Sequence, residues 1–324
     1  MKKSTLISLI VAAVLVVFGA GLYCGAMSTI GWDFTALSGY EYVTNITEIE
    51  KPFVAIEIES TTADIRFAVS EDGSKYVECG DILPIEYRVE VDNGILKIQA
   101  VDTRAWYEYL SIGFMPASYV TVYLPAGEYG SLSIKESTGD IEIPEDFTFF
   151  EMDIALSTGD VHVASNVRNA VRIETDTGDI TLQNASVGPL ELQVSTGEVA
   201  VSDVVCAGDA CVAVDSGKTF LTNLTCRNLT TTGDTGDVLL QKVVASDSFD
   251  IQRDTGDVSF EGCDAASIKV HTSTGDVTGT LLSEMVFIYR TNTGDVDVPK
   301  TTTGGICEIT TDTGDIIITV VTES

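Results

Sequence analysis

Histidine is nearly missing from this 324-residue chain, which holds two, His162 and His271. His162 stands between the apolar Val161 and Val163 and so faces outward. His271 lies four residues before Gly275, on a different strand of the repeat described below and six repeats away. One site cannot contain both, which removes a Ser/His/Asp arrangement and a histidine-bound metal from consideration. Positive charge is also scarce: 18 Lys and Arg face 49 Asp and Glu, a formal net charge of −31. That balance excludes nucleic acid as a partner, because phosphates need cationic side chains. It fits a solvated exterior that attracts cations or cationic partners. The seven cysteines include no Cys-x-x-Cys pair, so the sequence carries no zinc signature. No window shows the three-four apolar spacing of an amphipathic helix, and the glycines recur at turns instead of forming a phosphate-binding loop.

What the chain has instead is one phrase written repeatedly. Close copies of Ser157-Thr158-Gly159-Asp160-Val161 place glycine at Gly139, Gly159, Gly178, Gly197, Gly217, Gly236, Gly256, Gly275, Gly294 and Gly314, always 19 or 20 residues apart. A fixed period of this size marks a stacked-repeat architecture. Apolar residues keep the same register, two and four positions after the glycine (Val161/Val163, Ile180/Leu182, Val238/Leu240) and seven and five before it (Met152/Ile154, Val171/Ile173, Ile268/Val270). Period-two alternation of this kind is a strand with one buried face. Each repeat therefore reads as strand, tight turn, strand and a looser return of about seven residues. Glycine supplies the positive φ of a type II-like turn or left-handed kink, and the aspartate after it is placed to bond the turn's own N–H groups. One such unit cannot bury its apolar face alone, whereas ten stacked units make a continuous core. The expected fold is all-β, a parallel β-solenoid of about ten rungs.

The N-terminus reads differently. Lys2 and Lys3 precede an uncharged run from Ser4 to Trp32, most apolar from Leu6 to Ala26, long enough to cross ~30 Å of hydrocarbon. Lysines before the run and none directly after it place the N-terminus in the cytoplasm and the remainder on the outer side of a cell membrane crossed once. A cleaved signal peptide, with small residues at Gly19-Ala20-Gly21 or Cys24-Gly25-Ala26, is the competing reading. Residues 1–32 are thus an anchor or signal, 33–50 a polar stalk, 51–130 an irregular β cap with the first rungs, and 131–324 the regular array. Within the cap, Ala63 replaces the turn glycine before Asp64, and Asp92-Asn93-Gly94 signals a tight hairpin. The stretch Arg104–Tyr119 carries Trp106, Tyr107, Tyr109, Phe114 and Tyr119, either a docking loop or rings packed over the solenoid's end.

The combination resembles a bacterial family of putative adhesins, β-strand-repeat proteins of otherwise unknown function, and is similar to LiaG-type proteins of envelope-stress operons. Ile56-Glu57-Ile58-Glu59-Ser60 running to Asp64, Val120 to Pro125 and the Thr-Gly-Asp repeats carry the likeness, over roughly residues 50–320. The resemblance implies an envelope-anchored β-helical ectodomain and brings no catalytic residues with it.

The residues that could carry chemistry are few. Aspartate follows the turn glycine at eight of the ten positions, with Glu198 and Lys218 at the others. Stacked about 4.8 Å apart, neighbouring carboxylates repel by about 1 kcal/mol even in water, so hydrogen bonds, Lys218, solvent or a cation must offset them. Asp237, Asp257, Asp276 and Asp295 form the calcium-site expectation; structural turn aspartates are the alternative, and no other cofactor is expected. Cys206 and Cys226 lie nine residues after successive turn glycines, within range either of a disulfide or of two stacked thiols. Cys263, sharing its offset with Val204, Leu224, Val243 and Leu282, and Cys307 read as small buried hydrophobes. For a polysaccharide-lyase arginine, Arg172, Arg253 and Arg290 are the outward candidates. The last strand, Ile316 to Val320, shows no cap and is free to pair with another copy. The functional expectation is a membrane-anchored, extracytoplasmic, non-enzymatic module for adhesion, binding or envelope-stress signalling, with an envelope polymer or protein as partner. The alternative is a calcium-dependent lyase of acidic polysaccharides or a glycan-binding protein.

Overall fold

The computed structural model describes residues 3–29, 42–82, 85–102 and 118–321. Residues 3–29 form one helix, Lys3–Thr29, of 27 residues. Among the residues described in full, no helix is long and apolar enough to cross a membrane.

Among the described residues everything else with regular structure is β-strand, and the ten turn glycines do line up in one column. Thr158 stands against Thr138 and Thr177, Thr196 against Thr177 and Ser216, and the pairing is parallel at every step. Ten glycine rungs stack in this way, as the period demanded. The inward rows are fully buried: Ile154, Ile173, Leu192 and Val212 on one side of the turn, Val161, Ile180, Val199 and Val238 on the other. Each such side chain stabilises the fold by roughly 1.5–3 kcal/mol relative to exposure. Cys263 and Cys307 are buried among them as hydrophobes. The register slips by one after Gly279, so that Leu281 and not Leu282 stands against Cys263.

Stacking order departs from chain order at both ends. After the Gly275 rung the chain lays down strand Met285–Thr293 and its Gly294 turn, then returns. Strand Gly305–Thr313 enters between that strand and Val258–Thr274, pairing with both. Ile316–Val320 likewise lies between Val277–Leu281 and Val296–Asp297. The last strand is therefore paired on both sides, which overturns the expectation of a free C-terminal strand; the outermost rung is the one before it. The N-terminal end repeats the device. The rung of Ala55–Glu59 and Ala63–Val69 sits between the Gly139 rung on one side and strands Ile95–Asp102 and Ser118–Leu124 on the other.

The cap lies beyond those outer strands. Tyr76–Gly80 runs antiparallel along Ser118–Leu124, and strand Tyr42–Glu48 pairs with Tyr76–Ile82. The second part of the stretch read as stalk is thus sheet. Asn93 (φ 50°) and Gly94 (φ 79°) make the two-residue turn between Ile85–Asp92 and Ile95–Asp102, with both central residues in the positive-φ geometry that Asn-Gly favours. Ile49, Tyr87, Val89 and Val91 pack against the end of the core. Tyr119 sits in the cap, its hydroxyl donating to Glu78 at 2.8 Å; Trp106, Tyr107, Tyr109 and Phe114 lie outside the described residues.

Candidate functional site

The turn column is the feature from which any function must be built. Its glycines hold φ between +131° and +153°, far from the +57° of a left-handed kink or the +80° of a type II turn. The expected turn type is therefore corrected to a flatter, nearly extended one. The reason is the stack. A Cβ on Gly236 would lie 1.8 Å from the carbonyl oxygen of Gly217, and one on Gly275 2.0 Å from that of Gly256. Backbone meets backbone with no room for a methyl, so glycine is required for space as well as for φ.

At most corners three N–H groups find partners in neighbouring rungs. The glycine N–H bonds the threonine carbonyl of the next rung (Gly159 to Thr177, 2.9 Å), and the residue after the aspartate bonds the next aspartate's carbonyl (Val161 to Asp179, 2.8 Å). The aspartate N–H points the other way and is taken by the carboxylate of the preceding rung. Asp160 donates to Asp140 Oδ1 at 3.0 Å, Asp179 to Asp160 Oδ1 at 2.8 Å, and Glu198 to Asp179 Oδ1 at 2.8 Å. The ladder resumes at Asp237, with Asp257 donating to Asp237 Oδ1 at 3.2 Å and Asp276 to Asp257 Oδ1 at 2.8 Å. Where the ladder runs, a carboxylate thus serves the neighbouring turn and not its own, and these charge-assisted bonds offset the repulsion along the column. Because the last rungs are interleaved, Asp315 follows Asp276 and Asp295 follows Asp315, each N–H bonding at 2.7 Å. The expected quartet is therefore not contiguous: Asp315 separates Asp276 from Asp295. Among the described residues no group of three or more His, Cys, Asp or Glu side chains is arranged to hold a metal ion.

Lys218 interrupts the ladder, since an ammonium cannot accept the N–H of Asp237. Its Nζ instead meets Asp237 Oδ2 at 3.2 Å, the oxygen that the ladder leaves over. The remaining acidic positions of the column are exposed or half-exposed.

This architecture answers to a known sequence family: two successive stretches, residues 53–212 and 207–324, match the Toastrack DUF4097 family. The chain belongs to that family. No curated protein matches the sequence. Three solved structures show similarity. One is a putative lipid binding protein from Parabacteroides distasonis, 17% identical, covering 73% of this chain and 96% of that one at a TM-score of 0.48. The second is a putative adhesin from Bacteroides fragilis, 15% identical, covering 86% and 97% at a TM-score of 0.36. The third is a putative adhesin from Parabacteroides distasonis, 10% identical, covering 84% and 98% at a TM-score of 0.40.

The other expected site residues of this Toastrack chain do not converge. Arg172 is exposed and bonds Glu174 at 3.1 Å, with Glu191 at 3.9 Å. Arg290 is exposed on the outermost rung. Arg253 does not face outward at all: it is 1% exposed. It occupies the inward row of Leu156, Val194 and Val214, three residues before the turn glycine, and its guanidinium reaches back under Gly233. Nη1 donates to the Val214 carbonyl at 2.7 Å and Nη2 to Thr219 Oγ1 at 2.8 Å. A Cβ on Gly233 would lie 1.8 Å from Nη1, so the missing side chain of one rung makes the space for the cation of the next. Burial presses the Arg253 pKa down, and the nearby carboxylates of Asp215, Asp234 and Asp237 push it up. Alternation alone could have found this residue, because it falls on an inward position.

A second buried charge was missed in the same row. Glu136 is 5% exposed, and its Oε1 accepts the N–H groups of Ser137 at 3.1 Å and Thr138 at 3.3 Å. Burial raises its carboxyl pKa above the usual 4.5. Around it Ser60 Oγ and Tyr87 OH share a 2.6 Å hydrogen bond, and Ser118 Oγ bonds the Thr62 carbonyl. Cys206 and Cys226 lie side by side in adjacent rungs, with both thiols free. Cys206 Sγ donates to the Gly188 carbonyl at 3.1 Å. Burial pushes both thiols up, Cys226 to about 12, which suppresses the thiolate needed for oxidation. His162 faces outward as expected and bonds Gln183 at 3.0 Å, while His271 is exposed six glycine rungs away.

Proposed function

We propose that this protein is a non-enzymatic binding module of the cell envelope that presents its aspartate column to cationic, amine-bearing groups of an envelope polymer or protein. The observation that carries the reading is Lys218 on Asp237. With Oδ1 committed to the ladder, Oδ2 receives an ammonium at 3.2 Å, and neighbouring rungs repeat the same carboxylate at the rung spacing. A flexible chain bearing several amines would gain from many weak contacts of this sort. The large acidic excess favours the encounter and makes it salt-dependent. The anchor is proposed from sequence: Lys3–Thr29 would span ~40 Å at 1.5 Å per residue, and Leu6–Ala26 holds no charge. On this reading the helix crosses the membrane once and the solenoid stands outside the cell.

The test is binding of the full chain to a lysine-rich polypeptide, together with membrane fractionation. Binding should weaken steeply with salt and fall several-fold in a variant carrying Asp257→Asn and Asp276→Asn. Asn keeps an oxygen for the ladder bond while removing the charge. Indifference to these changes, or release of unsaturated sugars from an acidic glycan, would sink the proposal, as would loss of all binding in chelator. Recovery of the full chain in the soluble fraction would overturn the anchor alone.

A further inference from the structure

We propose that two copies of this chain join end to end through their outermost C-terminal rungs, edge strand Met285–Thr293 against its twin, about a two-fold axis. The strand pairs with Gly305–Thr313 on one side, and among the described residues nothing pairs with the other. In every other glycine rung the glycine N–H and the N–H two residues later donate to the rung beyond. At Gly294 and Val296 no rung lies beyond among the described residues. The inward row is uncovered as well: Tyr289 is 51% and Val296 36% exposed, while Ile309 and Ile316 one rung deeper are fully buried. An unpaired strand edge beside exposed apolar side chains is a template for another strand.

Three observations select a second copy as the occupant. The first is charge. The rung from Ser283 to Gly304 sets Arg290 and Lys300 against Glu284, Asp295 and Asp297, a net of −1 in a chain of net −31. It can therefore meet itself without the repulsion that the other surfaces would impose. The second is size. A rung of 19–20 residues is close to the roughly 20–30 residues that each partner contributes to a standard interface. The third is symmetry. A two-fold axis along the sheet normal is the one that keeps the inward rows of both copies on the same side, and it runs the two edge strands antiparallel. The protein closes its other end in the same manner, with Tyr76–Gly80 antiparallel on the outer strand Ser118–Leu124. That closed end also blocks head-to-tail stacking, so the contact is isologous and stops at two copies.

Sedimentation of the full chain in density-matched detergent tests this, with hydrogen exchange read at Phe287, Tyr289 and Thr291. The expected result is twice the chain mass, and amides in Met285–Thr293 that slow as protein concentration rises. Tyr289→Lys and, separately, Val296→Lys should move the dimer midpoint to about tenfold higher concentration or more, with circular dichroism unchanged. A monomer whose edge amides exchange freely at all concentrations overturns the proposal and leaves the edge to a strand from a different protein. So does a dimer that both lysine variants leave intact, which would place the contact elsewhere. Should one variant unfold, the concentration dependence of exchange in the unmodified chain still decides.

Discussion

At the N-terminal end of the solenoid Leu96, Ile98, Val120 and Val122 are wholly buried, though they belong to the outermost rung there; at the C-terminal end Phe287, Tyr289, Val296 and Val298 occupy the matching inward rows and are partly in solvent. The rungs are built alike, so the difference lies in what covers them. Antiparallel strand, hairpin and the side chains of Ile49, Val89 and Val91 close one end; at the other, among the described residues, nothing pairs with the outer edge of Met285–Thr293. A solenoid needs an end solution because every rung is completed by its neighbours. This one solves the problem with its own chain at one end and leaves the other to association.

The comparison can be broken most severely in the glycine column. Gly236→Ala forces a methyl into the Gly217 carbonyl at a φ of +131° and should cost about 3 kcal/mol or more. Gly294→Ala meets the Gly314 carbonyl at 2.1 Å, but a rung with nothing beyond it relieves the clash by fraying, for ~1 kcal/mol. Equal losses in thermal melts would show that the terminal rung is as firmly held as the middle. Next in size is the contrast between capped and open core. Ile98→Ala should cost about 2–4 kcal/mol, whereas Tyr289→Ala in monomeric protein should cost less than about 1 kcal/mol. A Tyr289→Ala loss as large as that of Ile98→Ala would refute the picture of an uncovered end.

The smallest effect belongs to Glu136, which lies two rungs in from the outermost strands of the capped end. Its folded pKa is raised above 4.5, so the folded state holds the proton more tightly than the unfolded chain does. The native protein is then free of any penalty below pH 4.5 and loses stability as pH climbs through the raised value. Glu136→Gln does not titrate. Its melting temperature should gain on that of the native protein between pH 4 and pH 8 by about 2–4 °C per kcal/mol of relieved strain. A difference that stays constant with pH would mean that the carboxylate is charged throughout without cost.

The architecture was legible because the glycine, the apolar pairs and the aspartate repeat at one period, and every copy says the same thing. Single departures from the period were harder to read. Arg253 and Glu136 sit in an inward row where leucine, valine and threonine are the rule, and a charged residue invites an outward assignment unless the row is followed through every rung. The role of the aspartates was visible in kind but not in direction: local spacing suggested bonds within a turn, whereas the N–H that needed a partner belonged to the next rung. The order of the last two rungs left no trace in the sequence at all. Both carry the same signals, and nothing in a strand's composition says which neighbour it lies against. The four aspartates set out as a calcium row shared that weakness, since Asp315 comes between two of them only after the chain doubles back.

That doubling back limits how such a protein can change in length. Because each terminus of the array is fastened by a rung threaded out of turn, a repeat added or deleted there would undo the fastening. The interior rungs from Gly159 to Gly256, where each copy's backbone pairs only with the one before and the one after while the Arg253 side chain reaches back two rungs, are the place where repeats can be gained or lost, like shelves between fixed bookends.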